Sequence, residues 1–252
     1  MKIIMLVGEG ESSKIVYNYL NEYFDILKVV EDTAISKKNF LIRRYKKLGF
    51  FKVFGQILFM IFNKLLMKSS INRIDKIKKE NGLISDNYST DKLKKVKSIN
   101  NNDTIKILQK YNPDVVIVNG TRIISKKVLK CIDSVFINTH VGITPLYRGV
   151  HGGYWALVNK DYNNCGVTVH IVDEGIDTGG VIFQDIIEIT KFDDFNTYPY
   201  LQITKALPLL KLAIEDVKNN SLTLINKTDV SSVLYSHPTI FDYFKNYLKG
   251  VK

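Results

Sequence analysis

The chain has little cysteine and histidine, the side chains that hold most transition metals in proteins. Its 252 residues include two cysteines, Cys131 and Cys165, and four histidines. The two cysteines are far apart, and none of these residues shows the spacing of a metal site. The sequence therefore predicts no bound metal and a protein kept reduced in the cytoplasm.

The sequence also has no signal peptide, no internal repeats and no low-complexity linker. Residues 1–7 are apolar, but the run lacks the longer core and the cleavage site of a signal peptide, so we predict a first β-strand there. Acidic residues are fewer than basic ones, 25 against 36, and the net charge is +11. Such a balance indicates an anionic partner, namely a nucleotide, nucleic acid or membrane surface, or else only a lysine-rich composition.

The order of apolar runs and turns predicts an α/β fold. A strand at 2–7, a glycine-containing turn and a helix through 15–20 form the first unit of a doubly wound sheet. Glu9 and Glu11 in this turn would repel phosphate, so we interpret it as a structural turn. Further strands are predicted at 24–30, 115–118, 134–137, 167–172, 181–189 and 222–225. Helices are predicted at 105–111, 125–131, 152–158 and 194–219, with a kink or break at Pro208, and through 241–247.

The segment 37–80 has an unusual composition. Lysines and arginines between Lys37 and Lys47 precede a run from Phe50 to Met67 that is apolar on almost every helical face, and a second helix is predicted at 71–79. Three interpretations stay open. The run is a helix buried on the sheet, a contact between two copies of the chain in a homodimer, or an interfacial helix that touches a membrane surface through residues 37–67.

Two short apolar runs each end in hydrogen-bonding residues. Asn138 and His140 are two apart, so both face one side of an extended strand and could donate hydrogen bonds to a developing oxyanion. Asp177 stands before Thr-Gly-Gly and could orient the imidazole and move a proton. No serine or cysteine nucleophile accompanies them, which indicates direct transfer without a covalent enzyme intermediate. Taken singly, each is also an ordinary turn, cap or paired polar residue.

The order of residues around these positions resembles the folate-dependent formyltransferases. Asn-x-His at 138–140 is followed by Pro145, by Tyr-Arg-Gly at 147–149, and by Gly-Val-Thr-Val-His-x-Val-Asp-x-Gly-x-Asp-Thr-Gly at 166–179. The chain is most similar to the sugar N-formyltransferases of that family, and the resemblance is dense from 112 to 184. Residues 141–145 read Val-Gly-Ile-Thr-Pro where many members have Pro-Ser-Leu-Leu-Pro, a difference in the loop that borders the acceptor.

The resemblance implies a doubly wound, mostly parallel α/β sheet and 10-formyltetrahydrofolate as formyl donor. It places Asn138, His140 and Asp177 at the catalytic positions, while His170 is interpreted as a structural histidine. The residues implied to bind the folate are Gly120, Thr121, Arg122, Ile124, Val172, Asp173 and Gly175. The residues implied to contact the acceptor are Tyr147, Arg148, Gly149 and His151.

The domain division and the acceptor follow from the same comparison. We predict a catalytic domain over 1–220, with a helical insertion at about 37–80, and a C-terminal extension over 221–252 that is too short for the tRNA-binding domain of methionyl-tRNA formyltransferases. Glu9 and Glu11 disfavour glycinamide ribonucleotide, so a nucleotide-linked amino sugar for surface polysaccharide is the expected acceptor, with no nucleic-acid partner. The alternatives are an acceptor of the glycinamide ribonucleotide or methionyl-tRNA type, a formyltetrahydrofolate hydrolase, and a non-catalytic protein of the same fold that docks on a membrane or partner.

Overall fold

The structure is a computed structural model that describes residues 1–33, 37–225 and 230–252. Its strands are β1 (Ile3–Gly8), β2 (Ile26–Asp32), β3 (Leu93–Val96), β4 (Val115–Asn119), β5 (Val135–His140), β6 (Tyr147–Gly149), β7 (Gly166–Ile171), β8 (Val181–Ile186) and β9 (Val233–Tyr235). Its helices are α1 (Glu11–Asn21), α2 (Lys37–Leu48), α3 (Phe50–Glu80), α4 (Asn102–Tyr111), α5 (Lys126–Leu129), α6 (Gly152–Val158), α7 (Tyr198–Lys218) and α8 (Ile240–Tyr247).

The described strands form a seven-stranded sheet in the order β3-β2-β1-β4-β5-β7-β8. The pairs from β3 to β5 are parallel, β7 pairs antiparallel with β5, and β8 pairs antiparallel with β7. The prediction of a doubly wound, mostly parallel sheet is confirmed. The strand order reverses direction between β1 and β4, and this is where sheets of this kind bind ligands.

Helices cover both faces of the sheet. The core cluster on one face joins β1 and β2 to α1 and α7, and the cluster on the other face joins the same sheet to α4 and α5. The central strands are buried on both sides, which explains why β4 reads as an unbroken β-branched run, Val-Val-Ile-Val, instead of alternating with polar residues. The C-terminal ends of these rigid strands therefore provide fixed positions for side chains.

The apolar segment of the insertion belongs to one long helix. Helix α3 runs without interruption over 31 residues, so the prediction of two separate helices is wrong. The sequence between them, Lys68-Ser69-Ser70, contains no proline or glycine that would end a helix. Ser70 Oγ lies 2.7 Å from Asp194 Oδ2, to which it donates, and 3.0 Å from the Leu66 carbonyl oxygen one turn earlier, so the hydroxyl is satisfied inside a continuous helix.

Residues 230–252 pack against the insertion and against the sheet domain. Strand β9 pairs in parallel with β6, and α8 begins with a capping box between Thr239 and Asp242. Phe59 of α3 lies in one core cluster with Tyr243 of α8, Tyr154 of α6 and Phe195. The insertion and the C-terminal segment thus share a core. The domain boundary at residue 220 stays a prediction.

Three predicted elements differ from the structure. Residues 222–225 do not form a strand: only Ile225 pairs with the sheet, through an isolated bridge to Val181 of β8. Helix α5 is a single turn instead of seven residues. Helix α7 continues through Pro208 without a break. Pro208 has no N–H to donate to the carbonyl group one turn earlier. Because Pro208 is exposed, water can donate to that carbonyl instead.

Two partly buried histidines join the C-terminal segment to the sheet domain and make the fold sensitive to acid. His151 Nε2 lies 2.9 Å from His237 Nδ1. Burial lowers the pKa of His151 to about 3 and that of His237 to about 4, and the neighbouring histidine and Arg44 act in the same direction. Below pH 6.5, the ordinary pKa of histidine, these two residues bind protons in the unfolded chain and not in the folded chain. The free energy of unfolding therefore decreases as the pH is lowered below 6.5.

We therefore expect urea-unfolding experiments to show lower stability at pH 5.0 than at pH 7.5. Replacing one histidine, in His237→Phe, should reduce this pH-dependent loss by about 2 kcal/mol. Parallel pH dependences for the wild-type protein and the variant would contradict the assignment.

Candidate active site

A cleft of about 340 Å³ opens at the C-terminal ends of β4 and β5. Its walls are the loop after β4, the end of β5, the residues after β6, and the loop between β7 and β8. The lining residues are Val118, Gly120, Thr121, Arg122, Ile123, Ile124, Asn138, Thr139, His140, Val141, Gly149, Val150, His170, Val172, Asp173, Gly175, Ile176 and Asp177. The cleft therefore brings together Asn138 and His140 of β5 with Asp177 of the loop between β7 and β8.

The pairing of β5 with β7 places Asn138 beside His170. The two residues are register partners in this antiparallel pair, and His140 is opposite Thr168. The Asn138 Nδ2 atom lies 3.1 Å from His170 Nε2. Along β5, residues two apart share a face, so Asn138 and His140 both reach the cleft.

The tautomer of His170 fixes the orientation of the Asn138 amide. His170 Nδ1 lies 2.7 Å from the Ile171 carbonyl oxygen, which can only accept, so Nδ1 carries a proton. Burial lowers the pKa of His170, which favours the neutral ring with a free acceptor at Nε2. Asn138 Nδ2 therefore donates one hydrogen to His170, and its second N–H stays available to a ligand.

His140 and Asp177 form a close, mostly buried pair. His140 Nδ1 lies 3.3 Å from Asp177 Oδ2, and the exposed fractions of the two side chains are 5% and 14%. On its other side, His140 Nε2 lies 2.8 Å from the Tyr147 carbonyl oxygen and must donate to it. With Nε2 donating to this carbonyl, Nδ1 can donate to the carboxylate only if the ring binds a second proton.

Strand β6 holds this pair from both ends. The Tyr147 carbonyl accepts from His140, and the Gly149 N–H donates to Asp177 Oδ2 over 2.9 Å. Between them, the Arg148 guanidinium donates to the Ile176 carbonyl over 3.1 Å and so holds the loop that carries Asp177. Asp177 itself has a φ of 52°, an uncommon backbone conformation outside glycine, which these contacts stabilise.

Comparison with known proteins identifies the family. Residues 67–202, more than half of the chain, match the sequence profile described as Formyl transferase. The chain belongs to the formyl transferase family. The family resemblance read from the motifs is therefore confirmed.

Several curated members of the formyl transferase family are similar in sequence over part of their length. The chain is 34% identical over 142 residues to the methionyl-tRNA formyltransferase of Caldicellulosiruptor saccharolyticus, covering 55% of this chain and 43% of that protein. It is 35% identical over 94 residues to that of Finegoldia magna, covering 37% and 30%. The chain thus spans less than half of the length of these curated relatives.

Solved structures of the family share the fold at low sequence identity. A sugar N-formyltransferase from Shewanella sp. gives a TM-score of 0.56 at 15% identity, over 92% of this chain and 76% of that one. Glycinamide ribonucleotide transformylase 1 from Symbiobacterium toebii gives 0.57 at 16% identity, over 93% and 94%. At such identities the likeness establishes the fold and leaves the acceptor open.

The structure places all seven residues implied for folate binding at the cleft, and two of them have clear structural roles of their own. Arg122 Nε lies 2.6 Å from Asp32 Oδ2 at the end of β2, so its charge anchors the loop after β4. The Asp173 carboxylate accepts from Gly175 N and Thr178 Oγ1 within its own loop. In this formyl transferase family member these two side chains therefore hold the backbone of the loops that line the cleft, and the folate contacts stay a prediction.

The structure separates the four residues implied for the acceptor. The Tyr147 side chain is buried and its hydroxyl donates to Asp161, so the strand contributes a carbonyl group instead of an acceptor contact. Arg148 and Gly149 hold the Asp177 loop. His151 lies in a second pocket of about 350 Å³, bounded by α1, α3 and α7. Of these residues, Gly149 alone lines the cleft.

The interpretation of His170 as a structural histidine does not include its contact with Asn138 in the cleft. The strand pattern predicts that His170 and Thr168 share a face, and the structure places that face opposite Asn138 and His140. The contact between Asn138 and His170 arises because β5 and β7 are antiparallel neighbours. The prediction of a mostly parallel sheet does not specify this pairing. Among the described residues, no group of three or more His, Cys, Asp or Glu could hold a metal ion.

The two cleft histidines, His140 and His170, should carry a proton on different ring nitrogens, and nitrogen NMR can test this. We expect the Nδ1–H form for neutral His170 and a protonated Nε2 for His140, because each of these nitrogens faces a carbonyl oxygen. With four histidines in the chain, single-residue variants assign the signals. A His170 ring protonated at Nε2 would contradict the proposed orientation of Asn138.

Proposed function

We propose that this protein moves a formyl group from 10-formyltetrahydrofolate to a primary amine. The observation that carries the proposal is the convergence of Asn138, His140 and Asp177 on one cleft, with the His140–Asp177 pair 3.3 Å apart. An amide donor, an imidazole and a carboxylate provide what an acyl transfer needs, which is stabilisation of the carbonyl oxygen and a path for a proton.

The cleft suits a flat, polar donor such as the pterin of a folate. Its volume of about 340 Å³ lies within the range typical of ligand sites, roughly 300–1,000 Å³. The loop after β4 and the loop between β7 and β8 face each other and offer backbone hydrogen-bonding groups. Ile123, exposed in the structure, and Val150 supply apolar contact at the same cleft.

Asn138 and His140 stabilise charge on the formyl oxygen in this mechanism. The amine attacks the formyl carbon, and the carbonyl oxygen becomes negative as the new C–N bond forms. Asn138 has one N–H held by His170 and one directed to the ligand, so it needs little reorganisation. A proton held between His140 Nδ1 and Asp177 Oδ2, which lie 3.3 Å apart, supplies positive charge near this oxygen in the proposed mechanism.

Asp177 takes the proton from the attacking amine. Its Oδ2 accepts from the Gly149 N–H and faces His140, while its Oδ1 lies 3.9 Å from His170 Nε2. The carboxylate then returns the proton to the folate nitrogen as the bond between that nitrogen and the formyl carbon breaks. The products are a formamide and tetrahydrofolate, so atoms and charge balance without an external reagent.

A nucleotide-linked amino sugar is the acceptor class that we favour. A protein of similar fold from Shewanella sp. is described as a sugar N-formyltransferase, which supports this choice. Glu11 stands at the first residue of α1, where an acceptor phosphate would otherwise bind. Burial opposes its ionisation, but hydrogen bonds from Lys78, Tyr200 and Ser85 outweigh that effect and lower the pKa of Glu11, so it repels a phosphate.

Single substitutions in the cleft should abolish turnover without unfolding the protein. We expect Asn138→Ala, His140→Ala and Asp177→Asn each to lower kcat by roughly a hundredfold or more, because the oxyanion donor, the partner of the carboxylate or the proton acceptor is lost. Turnover is measured as the release of tetrahydrofolate in the presence of an accepted amine. Asp133→Asn, which changes an exposed carboxylate before β5, is the matched control.

Wild-type turnover in the Asn138 or Asp177 variant would contradict the mechanism. Normal thermal unfolding of the inactive variants separates a chemical defect from a folding defect.

The acceptor is identified by a panel assay on the wild-type protein. We expect formylation of one or more nucleotide-linked 4-amino sugars, and none of glycinamide ribonucleotide or methionyl-tRNA. Formate release in the absence of any amine would instead identify a hydrolase. Folate binding without turnover of any panel member, at millimolar acceptor, would favour the non-catalytic alternative.

A further inference from the structure

Helix α3 exposes an apolar face on its outer side. Its inner side contacts the body of the protein through Phe59 and Ile77, whereas Phe51 is 87% exposed and Leu65 61%. At 3.6 residues per turn, Phe50, Phe54, Ile61 and Leu65 fall within roughly 60° of one another on the opposite side. We call this set the α3 outer face. The solvent side of a surface helix is normally polar.

The segment around this face has cations and no carboxylates. Between Lys37 and Ile74 the sequence contains no Asp or Glu, and its basic residues are Lys37, Lys38, Arg43, Arg44, Lys46, Lys47, Lys52, Lys64, Lys68 and Arg73. Lys64 and Lys68 are exposed and lie on the same side as the α3 outer face. Apolar side chains flanked by lysines, without acidic residues, match the surface of an anionic bilayer.

Neighbouring helices extend the exposed apolar surface. Tyr45 of α2, the helix that precedes α3, is 55% exposed. On the other side, the Phe244 ring of α8 lies 5.2 Å from the Phe62 ring of α3 and is itself exposed. Lys245 and Lys249 accompany this part of the chain, and both are exposed.

Helix α3 is long and apolar enough to cross a membrane by length and composition, yet its inner side holds it on the protein. An 18-residue window in it has a mean hydropathy of 1.5 with 22% of that window buried. Gln56 donates to the His237 carbonyl, Ser70 to Asp194, and Arg73 pairs with Asp193. Crossing a bilayer would break these contacts and leave polar groups unpaired in hydrocarbon. The helix therefore suits a position in the plane of the membrane surface.

We propose that the α3 outer face docks the protein on an anionic lipid bilayer, with the helix axis parallel to the membrane. The apolar side chains enter the boundary between head groups and acyl chains, and the lysines contact lipid phosphates. A second copy of the chain is the competing occupant, but residues 37–74 of that copy would bring further basic residues and no carboxylate to pair with them. The proposal is independent of the formyl-transfer proposal.

The test is binding of the full chain to vesicles, measured by sedimentation. We expect binding to vesicles of phosphatidylcholine with phosphatidylglycerol, little binding to phosphatidylcholine alone, and release at high salt. Ile61→Glu/Leu65→Glu should weaken binding at least roughly tenfold. Lys64→Gln/Lys68→Gln, which removes two charges and leaves the apolar face intact, should weaken it roughly twenty- to thirtyfold.

A matched control places the same two negative charges elsewhere. Leu212→Glu/Ile186→Glu changes residues of similar exposure, 46% and 45%, on α7 and β8, and should bind like the wild-type protein. Equal loss in this control, or no binding of the wild-type chain to anionic vesicles at low salt, would overturn the proposal.

Two further outcomes would also overturn it. The first is a wild-type dimer in sedimentation equilibrium that Ile61→Glu/Leu65→Glu dissociates, with no vesicle binding. The second is retention in membranes after alkaline carbonate extraction, which indicates a spanning helix. Should the glutamate variant fail to fold, the lysine variant decides the question on its own.

Discussion

The hydrogen bonds of strand β6 hold the imidazole and the carboxylate of the cleft together. The Tyr147 carbonyl accepts from one side of His140, and two residues later the Gly149 N–H donates to Asp177. The carbonyl requires a hydrogen on the His140 nitrogen that faces it, and the N–H requires an Asp177 oxygen that can accept. The backbone of three residues thus fixes the position of this pair in the cleft.

This strand depends in turn on the C-terminal segment. Strand β6 pairs with β9, and a Cβ atom at Gly149 would collide with the Tyr235 carbonyl oxygen, so glycine permits the close approach of the two strands. Trp155 donates to the Ser236 carbonyl and stacks on Tyr235, which fixes β9 from the other side. Through Gln56, α3 contacts the same segment. Direct contacts therefore link the insertion to the C-terminal segment, and the C-terminal segment to the cleft.

Much of the fold and part of the site could be predicted from the sequence. Periodicity and β-branched runs located the central strands, and the Asn-x-His and Asp-Thr-Gly motifs located the residues that meet in the cleft. The roles of Tyr147, Arg148 and Gly149 could not be read in this way, because two of these three residues act through backbone groups that carry no residue-specific signal. The contact of Asn138 with His170 was also hidden, since it depends on a strand pairing between residues 32 positions apart.

The central claim is that Asn138, His140 and Asp177 surround one reacting carbonyl group. A crystal structure with a non-reactive 10-formylfolate analogue tests it most directly. The account predicts the formyl oxygen within about 3.2 Å of Asn138 Nδ2, with the Asp177 carboxylate beside the formyl-bearing nitrogen. A formyl group bound outside this cleft, or one that faces away from all three side chains, would contradict it.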